Sequence, residues 1–344
     1  MRVVFVLFAL AGTVLASPSL RWLDETGGFH AAAVKRLLEE TATSLKVELA
    51  AASDAADAKP QVFTIPMIRV LEFVREDTKD EEQKRLLEAR TAVAAGVELK
   101  EACVTLDRLS AKAREPWVRE YAAAFRAIAA NRRGEEDALK RITAFLRAYP
   151  KSRFVCDAIR ARAWTESLAI TNVRKLMAPF ADAFHEIGER GGSYVTLYGC
   201  IRDAALRNTR IRAAELRSLG RSLDALVNTI RPDATAAELV VRLGLATECE
   251  ILVAGVKWRE AVSADIPTAL FRDDLAQLEN SVDLLLPDTI VELRLEQAAL
   301  AVAEKRLDAA ERYLGLAAKQ SSSQAHQFLR KRARDQLSAL RDKR

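Results

Sequence analysis

The sequence predicts an all-α fold of stacked antiparallel helix pairs, an α-solenoid, with an irregular helical bundle as the alternative arrangement. Three observations carry that expectation. Alanine makes up about 60 of the 344 residues and costs nothing in a helix interior. Only 13 Gly and 9 Pro punctuate the chain, too few turn residues for an all-β fold of this length. Apolar residues recur at helical spacing almost throughout, and no stretch reads as a strictly alternating strand. Half of the residues are apolar, so the chain is not disordered and has ample core for two ordinary domains or one elongated array.

Taken in order, the first element is an address. Arg2 precedes an uncharged apolar run over residues 3–16, shorter than the roughly 20 residues a membrane span needs. Val14 and Ala16 stand three and one residues before Ser17, the small-residue pattern of a signal-peptidase site. Residues 1–16 therefore read as a cleaved export signal, which predicts a periplasmic or secreted protein. Ser17 cannot carry the lipid that a cysteine there would. Charges interrupt every later apolar stretch, so the mature chain is expected to hold no transmembrane segment.

Residues 17–115 read as an N-terminal helical region, made of divergent repeats or a separate bundle. Phe29, Val34, Leu37, Leu38, Leu45 and Leu49 form the stripe of a long first helix. Met67, Val70, Leu71 and Val74 form a second, opened by Pro66, whose missing N–H costs little at a helix start. Residues 51–60 between them are an Ala/Asp segment expected to be loose.

The region 116–329 reads as helical repeats. Its stripes include Leu139, Ile142, Phe145, Leu146 and Tyr149, and then Leu216, Leu219, Leu223, Leu226 and Ile230. Breaks fall at Glu115-Pro116, Gly134, Tyr149-Pro150, Gly191-Gly192, Arg231-Pro232, Ile266-Pro267, Leu286-Pro287 and residues 320–323. Thr235 and Glu238 form a capping box, each side chain able to bond the other's backbone N–H in the first turn. Residues 182–208, with four glycines, are the least repeat-like interior stretch and read as a kink or an inserted contact loop.

Around Gly134 the chain reads Asn-Arg-Arg-Gly-Glu-Glu-Asp-Ala138, followed by Ile142, Phe145 and Pro150. This resembles the second helix of a tetratricopeptide repeat, with a turn one residue shorter and Phe145 where alanine is common. Ala298, Leu307, Ala310, Leu314 and Ala317 form a further copy, and Cys249, Trp258 and Ala261 a weaker one. A small residue in such a pattern lets two helices approach, while the large residues beside it fill the groove. The resemblance implies a TPR-like scaffold that holds a peptide or protein partner rather than catalysing a reaction.

The search for chemistry leaves little. His30, His185 and His326 are solitary, and no Cys lies at ligand spacing from any of them. Cys103, Cys156, Cys200 and Cys249 include no C-x-x-C, and their spacing leaves both free thiols and disulfides open. No nucleophile elbow, phosphate loop or dinucleotide fingerprint occurs. Glu166-Ser167 supplies the acidic pair of soluble lytic transglycosylases, but their downstream G-L-M-Q-like segment is missing. No catalytic residue, cofactor or metal is therefore expected. The alternatives to a scaffold are an envelope polymer-processing hydrolase or lyase of all-α fold, and a purely structural bundle.

Trp164, Tyr194, Tyr198 and Trp258 are the candidate partner-binding residues, if a concave groove exposes them. Lys and Arg number 53 against 48 Asp and Glu, and the excess of +5 is concentrated at one end. Residues 330–344 carry seven cations, Arg330, Lys331, Arg332, Arg334, Arg341, Lys343 and Arg344, against two anions. This basic C-terminal helix or tail reads either as a solvated terminal helix whose cations suit the negative end of the dipole, or as a contact for an anionic envelope surface. Nucleic acid is not an expected partner, because no aromatic interleaves with these charges.

Overall fold

The structure is a computed structural model that describes residues 19–25, 29–41, 44–50, 61–75, 81–172, 175–207, 212–280, 287–320 and 327–342. The export signal read at 1–16 and the loose segment read at 51–60 lie outside the described residues.

The region 17–115 is helical only in its second part, from Glu81 onward; the described residues before that form a sheet. Five antiparallel strands, β1 (Ser19–Leu23), β2 (Phe29–Glu40), β3 (Ser44–Leu49), β4 (Gln61–Pro66) and β5 (Val70–Val74), form one sheet in the order β4-β3-β2-β1-β5. Both helices expected in residues 29–74 are thereby overturned. The reason is local ambiguity. In β3, Leu45 and Leu49 are four apart and fit a helix stripe, yet Val47 between them is buried while Lys46 is exposed, which is a two-residue period. In β2, irregularities in register between Val34 and Arg36 and between Leu37 and Glu39 break the alternation. The residues of β2 are largely good helix formers, and pairing on both sides overrides that preference.

The sheet is coiled. β4 and β5 are its two edges, but only the 3₁₀ turn Met67–Arg69 joins them. At about 2 Å rise per residue that turn spans roughly 8 Å. The edges of a flat five-stranded sheet would lie roughly 19 Å apart. A half-open barrel satisfies both constraints, and its interior holds Leu20, Trp22, Val34, Leu45, Val47, Ile65, Val70 and Phe73.

Among the described residues, thirteen helices follow: α1 (Glu81–Ala95), α2 (Leu99–Lys112), α3 (Pro116–Arg133), α4 (Ala138–Ala148), α5 (Val155–Leu168), α6 (Ala178–Glu189), α7 (Tyr194–Arg207), α8 (Ala213–Ile230), α9 (Ala236–Ser263), α10 (Ala269–Glu279), α11 (Pro287–Ala303), α12 (Leu307–Lys319) and α13 (Gln327–Arg341). The molecule is thus mostly helical with a small sheet. Helix limits follow the expected signals. Pro116 opens α3, Gly134 ends it at φ 66°, and Thr235 and Glu238 cap α9 reciprocally.

Consecutive helices pack on one another, and odd-numbered helices also pack on the next odd one: α1 on α3, α3 on α5, and so on to α11 on α13. α13 touches α1 as well. Ala138, Ile142 and Phe145 are buried where α4 meets α3, and Ala310, Leu314 and Ala317 are buried where α12 meets α11. The third copy fails. α9 runs unbroken through Cys249, Trp258 and Ala261, so no turn separates the two halves of a helix pair there. Residues 182–208 are likewise not an inserted loop. They hold most of α6 and α7, and Gly188 lets α6 come within reach of Leu226 and Ile230 on α8.

Candidate functional site

The barrel sits against the helices through an ionic joint. Glu40, the last residue of β2, accepts hydrogen bonds from Tyr121 Oη at 2.6 and 2.8 Å and from Arg153 Nη1 at 2.9 Å. Arg75 Nη1 stands 3.6 Å from the same carboxylate, and its guanidinium lies 3.9 Å above the Trp117 ring. A second tether joins Arg69 to Thr235 Oγ1 at the start of α9, at 3.5 Å. Burial and the Glu40 charge hold the Tyr121 hydroxyl protonated far above its usual range, while Arg153 pulls in the opposite direction. Tyr121 is therefore a donor at any physiological pH.

Between the barrel and the inner helices lies a cavity of about 290 Å³. Met67, Val70 and Phe73 enter it from the barrel side, Leu86 and Val93 from α1, Phe125 and Ile128 from α3, and Leu206 from α7. Six arginines share this lining: Arg75 after β5, Arg90 on α1, Arg132 on α3, Arg153 and Arg160 at α5, and Arg202 on α7. Asp157 and Asp203 are the two acids in the lining. Arg160 is paired to Asp203 at 3.0 Å and to Asp157 at 3.5 Å, and Arg202 to Glu292 at 3.0 Å. Arg132 donates to the backbone carbonyls of Val93 and Ala94 at the end of α1. Burial and the like charges of Arg160 and Arg202 pull its pKa below the ordinary arginine value, and Asp203 opposes them. Space for Arg160 depends on Gly199, where a Cβ would stand 2.8 Å from the Arg160 Cδ.

An open groove of about 500 Å³ adjoins this cavity, and Arg75, Tyr121 and Arg153 line both. Leu37, Leu38 and Glu39 of β2 form one side of the groove. Trp117 and Glu120 of α3, with Tyr149, Pro150 and Lys151 after α4, form the other.

Behind Arg202 is a buried acid cluster. Glu248 accepts from Thr289 Oγ1 at 3.1 Å, and Glu292 accepts from Arg202 and, at 3.4 Å, from Tyr198 Oη. Burial first, and then the charge of Glu292, push the Glu248 carboxyl well above its ordinary range, with Arg202 opposing. Burial thus favours the protonated form of the Glu248 carboxyl in the folded protein.

The residues expected to present a binding surface fall elsewhere. Tyr194, Tyr198 and Trp258 are 2%, 2% and 7% exposed and fill the interior, and Trp164 is half-buried against the same core. They are packing residues because they lie on the apolar stripes of their helices. Tyr198 and Trp258 also bond Glu292 and Glu296 through their polar atoms. Glu166-Ser167 is structural too: Ser167 is fully buried and donates to the Trp164 carbonyl, while Glu166 pairs with Arg162 on the same helix.

The four cysteines are free thiols. Burial raises Cys156 and Cys249 to about 12 and Cys200 further, so these three are not thiolates at neutral pH. Of the basic tail, Lys331, Arg332 and Arg334 are exposed on α13, and Arg341 pairs with Glu311 at 2.8 Å. The side chain of Arg330, and all of Lys343 and Arg344, lie outside the described residues. Among the described residues, no helix is long and apolar enough to cross a membrane.

The arginine cavity was not anticipated from the sequence. One signal was present: Tyr194, Tyr198 and Arg202 are spaced by four, so Arg202 continues a buried aromatic stripe. No protein-family model, curated protein or solved structure matches this chain. Function must therefore be argued from the site itself.

Proposed function

We propose that the protein is an exported, non-enzymatic binding scaffold. In this reading the row of odd-numbered helices is the inner face of a TPR-like α-solenoid, and the barrel is docked on that face. A peptide or protein partner occupies the open groove beside the docked barrel. The observation that carries the reading is this groove of about 500 Å³, with Trp117 and Tyr149 beside Leu38 and with acids and Lys151 on its rim. Apolar and aromatic side chains ringed by mixed charge are the composition of a protein-recognition surface.

Selection of a displayed random-peptide library on the full chain tests the proposal. Leu38 is 38% exposed, so Leu38→Asp changes the groove without opening the core. Peptides enriched by the wild type are expected to be lost with Leu38→Asp and with Lys151→Glu, and to be recovered uncut. No enrichment, or enrichment indifferent to both changes, contradicts the scaffold. Cleaved peptides favour an envelope hydrolase instead.

A further inference from the structure

We propose that the 290 Å³ cavity is a binding site for a small organic oxyanion, a carboxylate or phosphomonoester joined to an apolar body. Two features of the lining define that chemistry. The first is charge: six arginines, from the end of β5, from α1, α3, α5 and α7 and from the turn before α5, outnumber Asp157 and Asp203 of the lining and the Glu40 and Glu292 that pair with Arg75, Arg153 and Arg202. Guanidinium groups offer planar pairs of donors that match the oxygens of carboxylate and phosphate. The second is the apolar wall of Val70, Phe73, Leu86, Val93, Phe125 and Ile128, which wants a hydrocarbon or aromatic body. The volume is at the small end of ligand pockets, which run about 300–1,000 Å³, so the ligand is a small molecule rather than a protein segment.

The arginines are held in place before any ligand arrives. Arg132 is fixed by the carbonyls ending α1, Arg160 lies across Gly199 against Asp203, and Arg153 is held by Glu40. Such positioning spares a ligand the entropy of ordering long side chains. Burial first, and then the like charges of Arg160 and Arg202, lower the pKa of Arg132, and an incoming anion offsets the repulsion between these cations. The cavity shares Arg75, Tyr121 and Arg153 with the groove, but Arg90 and Arg132 line the cavity alone and Leu38 and Lys151 the groove alone, so changes at those positions let either proposal fail without the other.

Isothermal titration of the full chain with 3-phenylpropionate, phenyl phosphate and the neutral 3-phenylpropanamide tests the site. At least one anion is expected to bind at least about tenfold more tightly than the amide, and more weakly as salt is raised. A preference for phenylpropionate assigns a carboxylate, and a preference for phenyl phosphate assigns a phosphomonoester. Arg132→Gln and Arg90→Gln should each reduce anion affinity about tenfold, while Lys151→Glu in the groove leaves it unchanged. Because a cavity variant can lose its fold, amide chemical shifts of the unaltered protein provide a second readout, with changes expected around Ile128 and Arg132. Absence of binding by both anions, or equal binding of the amide, overturns the proposal.

Discussion

Glu40 and Arg153 meet at 2.9 Å across the boundary between the barrel and the helices, 113 residues apart in the chain. The same carboxylate also holds Tyr121 and Arg75, so one acid satisfies groups from β5's end, α3 and the turn before α5. Removing one partner of a buried ion pair leaves the others charged and unpaired, which costs about 3–5 kcal/mol. Glu40→Ala is therefore expected to lower stability by about that amount in urea denaturation, and Glu40→Gln, which keeps an acceptor for Tyr121, by less. Equal stability of Glu40→Ala and the wild type would mean that the joint does not form.

The buried Glu248 makes stability depend on pH in a defined direction. Its folded pKa lies above its unfolded value, so above about pH 4.3 the unfolded chain ionises while the folded protein keeps the proton. The unfolded state then binds fewer protons, and stability falls as pH rises toward the folded pKa. Melting temperatures between pH 4.5 and 8 should decline more for the wild type than for Glu248→Gln, which is neutral throughout. Parallel curves for the two proteins would contradict the assignment.

Phe145 sits 3% exposed in the core shared by α3, α4 and α5. Phe145→Ala is expected to cost about 3–5 kcal/mol in chemical denaturation, the range for deleting a buried ring. A loss below about 0.5 kcal/mol would show that the α3–α4 packing is not formed as described.

The basic tail calls for charge reversal rather than deletion. Ala333 and Leu340 of α13 are buried with α11 and α12, so truncation would open a core. Reversing Lys331, Arg332 and Arg334 to Glu should leave the melting temperature nearly unchanged. Any binding to anionic vesicles should fall by up to about 1 kcal/mol for each lost cation, and the added negative charges should deepen the loss at low salt. Binding unaffected by the triple change would remove the tail as an anionic contact.

Much of the helical region is legible in the sequence because its signals are local. A proline opens α3, a left-handed glycine ends it, and Thr235 caps α9 with side chains three residues apart. Ala138, Ile142 and Phe145 encode a helix contact at fixed spacing, and the structure buries all three. The barrel is less legible. Its longest strand, β2, holds Ala, Leu, Glu and Lys in helix-like proportions, and the register shifts in β2 hide its period. Leu20 and Trp22 in β1 and Leu45, Val47 and Leu49 in β3 keep an open alternation, but the first run is very short and Leu45 and Leu49 of the second also fit a helix. The cavity was hidden for a different reason. Arg90, Arg132, Arg153 and Arg202 are brought together by tertiary packing from separate elements, and in the sequence each is one arginine among many.

The central claim is that barrel and inner helices form one unit around the cavity. Hydrogen exchange of the full chain, compared between the wild type and Glu40→Ala, tests it most directly. If the elements are joined, amides of β2 and β3 and those of α3 and α5 open with similar free energies, and Glu40→Ala lowers both sets together. Loss of protection confined to the barrel, with α3 and α5 unchanged, would contradict the claim.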